Sequence, residues 1–397
     1  MMRIVKEIKY WSQLFLIPIY GLSFLMPRSK KIWVMGSTFG TRFADNPKYF
    51  YLYLQQHQKN NIKSVWISKN KEVIRFLTDN SLEGYYLYSL KGIWYSLRAK
   101  IYLYDNYSKD ICFTLSGGAT KINMWHGIPL KRIQKDNMFD RIRNPKTRLE
   151  KTRWLLRRMT DEKPTDYVLT TSEFLKPIFS SAFHTEHVLV CGYPRNDILL
   201  SEEIRNVMNK NETSVAGHLE KMSKNNKIVF YVPTFRESEQ NFFDIISLEH
   251  FQNFLEREQI LFCVKLHPKS KVGEQFNKLS YHNIFVIDPL IDSYPILKQA
   301  DVLITDYSSI YFDFLLTGKQ IIFFAYDLKE YLQDSREMYF NYEEFTPGIK
   351  VYNQKDLEKV LLLDVPRTAQ AEDLRQKVFD ETSNGASEHL FTKILEL

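Results

Sequence analysis

The sequence predicts an α/β protein made of two doubly wound parallel-sheet domains facing each other across a central cleft. Three observations carry that expectation. First, 397 residues exceed one ordinary core and suit two domains of about 150 to 200 residues each. Second, short apolar or β-branched runs alternate with longer helical patterns in two separate series. Third, turn segments bearing His, Arg, Ser and Thr stand directly after several of those runs.

The first series comprises residues 32–36, 64–68, 85–88, 101–104, 121–125, 167–170 and 187–191; the second comprises 228–232, 261–266, 284–287, 302–305 and 321–324. Continuous apolar runs with helices between them read as parallel strands buried on both faces. Ligands of such sheets bind beyond the carboxyl ends of the strands, so motifs placed there should line one cleft. The division expected is a membrane-associating helix over 1–30, a first α/β domain over 31–192 and a second over 193–397.

A hydrophobic fraction of 44% and a charged fraction of 25% are ordinary for globular chains and exclude wholesale disorder and a polytopic membrane protein. Cys112, Cys191 and Cys263 stand far apart without a C-x-x-C pair, so no disulfide framework or zinc site is written and a reducing cytoplasm is expected. Residues 1–200 hold 32 Lys+Arg against 16 Asp+Glu, and the remainder 22 against 31, so the front is +16 and the back −9. A front half so basic faces a polyanion, either nucleic acid or an anionic lipid surface.

Residues 10–26 carry no charge and are flanked by Lys6, Lys9, Arg28, Lys30 and Lys31. The stretch is shorter than the roughly 20 residues that span a bilayer and is broken by Pro18 and Gly21, so a monotopic helix lying on the inner leaflet is the expectation. An apolar helix docked on the protein's own surface is the competing reading. Between Lys131 and Arg158, eleven Lys or Arg stand against three acidic residues, interleaved with Met138, Phe139, Leu149, Trp154 and Leu155. That pattern suits a basic amphipathic helix for anionic headgroups, or alternatively a solvated basic face.

Several segments carry chemistry. In Trp125-His126-Gly127-Ile128-Pro129-Leu130-Lys131-Arg132 a histidine follows a strand beside Gly and Pro, placed either as a general base or as a structural His bonded to backbone. Gly192-Tyr193-Pro194-Arg195-Asn196-Asp197 and Tyr231-Val232-Pro233-Thr234-Phe235-Arg236 each bring an Arg to a strand end, and guanidinium groups fork onto phosphate oxygens. Lys265-Leu266-His267-Pro268 repeats the arrangement with a second His. Finally, Thr305, Asp306, Ser308 and Ser309 end a strand and enter a helix, where hydroxyls and unpaired N–H groups cap the helix and also hold phosphate. The P-loop, the G-x-G-x-x-G fingerprint, a D-x-D tripeptide and the G-x-S-x-G elbow are all absent from the sequence, leaving a phosphate site of Arg, His and hydroxyls with no cofactor and no metal.

Taken in order, Asp45-Asn46-Pro47-Lys48-Tyr49, WHGIPLKR at 125–132, GYPRND at 192–197, YVPTFR at 231–236, KLHP at 265–268, DVLITDYSSIYFDF at 301–314 and FAYDL at 324–328 resemble the CDP-glycerol glycerophosphotransferase family of teichoic acid synthesis, with its related capsule polymerases. The resemblance implies a GT-B architecture and transfer of glycerol phosphate from CDP-glycerol to a hydroxyl of a polyprenyl-diphosphate-linked acceptor, releasing CMP. It makes His126 the base, with His267 as second catalytic group. It makes Arg195, Asn196, Arg236, Thr305, Asp306, Ser308 and Ser309 the donor site, and Asp45, Lys131, Arg132 and Trp154 the acceptor and membrane side. Partners implied are CDP-glycerol, the lipid-linked acceptor and the anionic cytoplasmic face of the membrane, with no nucleic acid and with a homo-oligomer left open. Met124, Ile128, Phe235 and Lys265 depart from the usual pattern and leave glycerol and ribitol donors both open. The short chain favours a primase over a polymerase, and a GT-B glycosyltransferase using a nucleotide sugar is the alternative.

Overall fold

The structure, a computed structural model, describes residues 11–397 except 58, 141, 160–163, 202–206, 237–243, 269, 271–280, 335–336 and 366–367. Strands β1 (Ser29–Met35), β2 (Lys63–Ser68), β3 (Gly84–Tyr86), β4 (Ala99–Tyr104), β5 (Thr120–Asn123), β6 (Tyr167–Thr170) and β7 (Val188–Val190) form one sheet in the order β3-β2-β1-β4-β5-β6-β7. Strands β8 (Lys227–Tyr231), β9 (Ile260–Val264), β10 (Ile284–Val286), β11 (Val302–Thr305), β12 (Gln320–Phe324) and β13 (Ile349–Val351) form the other, in the order β10-β9-β8-β11-β12-β13. Every pairing is parallel, as with Val34 opposite both Val65 and Tyr102 and Ile304 opposite both Tyr231 and Ile322.

Burial on both faces explains why the strands read as unbroken apolar runs: all five residues of β9 are buried, as are Trp33, Val34 and Met35 of β1. Each run expected to be a strand is one. β13 was not foreseen, because its three residues, Ile-Lys-Val, make no apolar run. In each sheet the strand order reverses beside the first strand, between β1 and β4 and between β8 and β11, which opens a crevice at the carboxyl ends.

The helix Asp45–His57 is buried from Asn46 through Leu54 and stitches the domains together. Its Lys48 Nζ lies 2.7 Å from Asp292 Oδ2, and Tyr49 donates to the same oxygen at 2.8 Å. The final helix, Ala386–Leu395, returns to the first domain: Phe391 packs 5.8 Å from Trp33, ring centre to ring centre, and Glu388 accepts from Tyr53. That last helix therefore lies against the other domain from the one its sequence position suggests.

The N-terminal expectation is altered in form; residues 1–10 lie outside the described residues. Ser12–Leu16 is 3₁₀-helical and Ile17–Ser23 α-helical. This segment docks by one side, with Tyr20 and Ser23 buried, Ser23 Oγ accepting from Gly117 N at 2.9 Å, and Arg28 donating to the carbonyls of Ser96, Ala99, Leu115 and Gly117. The other side leaves Phe15, Ile19, Leu22 and Leu25 exposed. Among the described residues the basic segment is helical only over Arg148–Arg158, where Thr147 and Glu150 form a capping box; those described between 131 and 147 form turns around a short 3₁₀ stretch, Gln134–Asp136. Pro129 and Pro145 bracket that stretch, and neither suits a helix interior.

Candidate active site

His126 sits just beyond the end of β5. Trp125 has φ 52° and Gly127 φ 146°, so His126 is held in a turn whose left-handed backbone costs energy at the tryptophan. Its Nδ1 lies 3.2 Å from the Asp105 carbonyl, at the end of β4. A carbonyl only accepts, so Nδ1 carries the proton and Nε2 keeps its lone pair. The ring stacks against Trp125 with centroids 4.0 Å apart, yet the residue remains open to the cleft. Crowding by protein lowers its pKa below the ordinary 6.5, against the opposing pull of Asp45, and that keeps it a neutral base.

The loop carrying the Asp105 carbonyl is itself tied down. Asp110 accepts from Phe39 N at 2.7 Å, from Asn106 N at 2.8 Å and from Tyr107 N at 3.1 Å, while Asp105 accepts from Ser37 Oγ and Thr38 N across the β1–β4 crevice. Burial, then the Asp110 carboxylate, push the Asp105 carboxyl well above the usual range. Neither acid stood out in the sequence, because neither lies in a motif with the histidine.

The second wall is built at the β8–β11 crevice. Thr305 Oγ1 donates to Val232 O at 2.7 Å, and Asp306 accepts from Thr234 N at 2.9 Å, which cross-links the two strand ends. Arg236 is gripped by Asp306 at 2.7 Å and by both oxygens of Asp327; burial opposes its charge and these carboxylates outweigh that. Thr305, Asp306 and Arg236 therefore brace the loops of the expected donor site through bonds within the protein. Ser308 and Ser309 are half-buried at the start of the helix Ile310–Leu315; Ser309 makes no side-chain cap bond, and its Oγ lies beside the Gly127 turn. His267 is exposed on the neighbouring loop, its ring 5.4 Å from Phe235. Behind it Lys265 is buried and donates to Pro289 O at 3.1 Å; burial, with Arg42 adding, pushes it down to about 8.

Arg195 joins the walls. Its Nη1 lies 2.8 Å from Asp45 Oδ1 and its Nη2 2.7 Å from Asp313 Oδ2, and Asp313 also accepts from Tyr294 at 2.7 Å. The guanidinium is buried and held by two carboxylates at the cleft floor. A Cβ built on Gly127 would meet Arg195 Nη2 at 3.1 Å and Ser309 Oγ at 3.3 Å. Only glycine fits there, and the close approach brings the His126 turn and the serine corner to one cleft. Asn196 is fully buried with neither side-chain polar atom bonded, and Thr234 Oγ1 is likewise orphaned among the described residues.

Other expected residues lie elsewhere. Lys131 Nζ donates to Tyr331 OH at 2.9 Å, and Arg132 lies 3.2 Å from Glu337 and donates its backbone N–H to the Glu337 carbonyl; both tie the segment after His126 to residues near the second sheet. Trp154 is half-buried between cations, away from these clamps. Among the described residues no group of three or more His, Cys, Asp or Glu is placed to hold a metal ion, and no helix is long and apolar enough to cross a membrane.

Comparison with known proteins agrees with this geometry. The chain is 30% identical over 362 residues to a teichoic acid poly(glycerol phosphate) polymerase of Bacillus spizizenii, covering 87% of each. It is 28% identical over 280 residues to a teichoic acid glycerol-phosphate primase of Bacillus subtilis, covering 68% of this chain and 67% of the relative. Among solved structures it resembles the wall teichoic acid polymerase TagF soaked with CDPG, with TM-score 0.73, 26% identity and coverage of 100% and 96%. The family model for CDP-glycerol:poly(glycerophosphate) glycerophosphotransferases matches residues 19–396, and this chain belongs to that family of transferases.

Proposed function

We propose that the protein transfers glycerol phosphate from CDP-glycerol to a hydroxyl of a polyprenyl-diphosphate-linked acceptor and releases CMP. The observation that carries this reading is the shared cleft: a Cβ built on Gly127, in the turn bearing His126, would stand only 3.3 Å from Ser309 Oγ of the opposite corner. Phosphoryl transfer asks for in-line positioning and neutralised charge more than covalent help. His126 Nε2 takes the proton of the acceptor hydroxyl as its oxygen bonds to the β-phosphorus; the bond from that phosphorus to the bridging oxygen breaks, and CMP leaves with the electron pair.

Ser308, Ser309 and the exposed His267 serve the diphosphate, with the half-buried Thr234 beside them on the donor side. Arg236 and Arg195 act one layer behind, each bracing the wall through two carboxylates. Length does not favour a primase, since the Bacillus spizizenii polymerase is matched over 87% of its own length; that match supports repeated addition. The exposed Phe15, Leu22 and Leu25, together with Leu149 and Leu155 among the arginines of Arg148–Arg158, support peripheral attachment to an anionic cytoplasmic membrane face.

The test is incubation with CDP-glycerol or CDP-ribitol and a lipid-linked acceptor. CMP release and a phosphodiester-linked, multi-unit product with CDP-glycerol are expected. A glycoside product, or no CMP from either donor, overturns the proposal.

A further inference from the structure

A second cavity lies in the first domain beside the base. It offers about 100 Å³ of space to water centres, well beyond the roughly 10–15 Å³ that one water needs on that measure. Asn106 and Asn123 line it. Asn106 follows the Asp105 whose carbonyl orients His126, Asn123 donates to Asn106 O at 3.0 Å, and the lining Phe183 packs 4.9 Å from Trp125. Whatever enters the cavity therefore touches the loop that holds the imidazole.

The cavity is conspicuously cationic. Lys135 Nζ stands 5.3 Å and the Arg158 guanidinium 4.8 Å from the ring centre of Trp154, so one indole carries two cations. Lys135 Nζ also lies 3.3 Å from His184 Nδ1; an ammonium has no lone pair, so the lysine donates and that nitrogen is unprotonated. Burial, then Arg158, lower Lys135; burial, then Lys135, lower His184, with only Asp136 pulling the other way. Arg143 is satisfied by Asp140 and reaches the Tyr107 hydroxyl. By contrast, neither Lys135 nor Arg158 meets a carboxylate among the described residues. Cations crowded without a counter-charge repel one another, and an anion bound among them relieves that repulsion.

We propose that this cavity binds a phosphate group carried by the acceptor, through Lys135, Arg158 and a protonated His184, with Trp154 as the floor on which both cations rest. The proposal rests on the phosphotransfer reading and adds to it a recognition point separate from the donor subsite. A phosphodiester of the growing chain and the diphosphate of a lipid carrier share the required chemistry.

Two measurements test it. In the first, the His184 imidazole is followed by NMR while the full-length protein is titrated with glycerophosphoglycerol or with inorganic pyrophosphate. The phosphodiester or the diphosphate is identified as the source by whichever raises the His184 pKa, and the rise is expected to vanish in Lys135→Ala and Arg158→Ala. No response to either probe, or a response only to vesicles of anionic lipid, overturns the proposal. In the second, Arg158→Ala is expected to raise the acceptor KM about tenfold, the size of one lost charge-assisted contact, leaving the KM for CDP-glycerol unchanged, with Arg158→Lys recovering part of the loss. Unchanged acceptor KM in both alanine variants contradicts the pocket while leaving the transferase intact. A His184 response without any CMP release contradicts the transferase while leaving the pocket.

Discussion

One imidazole, a carbonyl and two acids account for the chemistry at the level of single residues. His126 must be neutral to accept a proton, and burial lowers its pKa, so the neutral form persists as pH falls until the pH drops beneath that lowered value. The acid limb of kcat/KM is therefore expected below 6.5; a limb above 6.5 in a pH–rate profile would contradict this. Asp110 accepts three backbone N–H groups. An amide there has a single acceptor oxygen, so Asp110→Asn should strand at least one of them, lower stability by about 1–3 kcal/mol and reduce kcat by roughly tenfold to a hundredfold through a shifted Asp105 carbonyl. Steady-state kinetics with CDP-glycerol KM unchanged would agree. The histidines and serines were legible because they follow strand ends in motifs. The partners of Arg195 and Arg236 were not, because Asp45, Asp313 and Asp327 lie 150, 118 and 91 residues away from them in sequence.

Elements were legible in proportion to their hydrophobic contrast. Continuous apolar strands declare themselves, whereas Ile349–Val351 presents only three residues with a lysine in the middle. The stretch from 131 to 147 reads as helical by charge spacing, but its backbone is committed to contacts with the second domain, including the bridge between Lys131 and Met338. Tertiary pairing there overrides local propensity. The N-terminal element combines the two readings that its composition allowed: one side is docked through Tyr20 and Ser23, the other is exposed and apolar. Removing residues 1–19, which leaves Tyr20, Ser23 and Arg28 in place, should weaken sedimentation with anionic vesicles while the melting temperature changes little. Unchanged sedimentation would contradict attachment through this segment.

For the whole molecule, the decisive feature is that the two lobes are bonded across their cleft by buried charge. Burial alone would raise the Asp292 carboxyl, but Lys48 and Tyr49 outweigh it and hold it low. A depressed carboxylate contributes stability above its unfolded pKa and loses it as pH falls through the folded value. Lys48→Ala should cost roughly 3–5 kcal/mol near neutral pH by leaving Asp292 buried and unpaired. The deficit should shrink toward acid pH as Asp292 takes up a proton, and denaturant melts at two pH values check this. The central claim, that one imidazole in the shared cleft readies the acceptor hydroxyl, is tested most directly by single-turnover CMP release from CDP-glycerol with His126→Ala beside the unaltered protein. The account predicts a folded variant that still binds CDP-glycerol and, with acceptor present, releases essentially no CMP; release at the unaltered rate would contradict it.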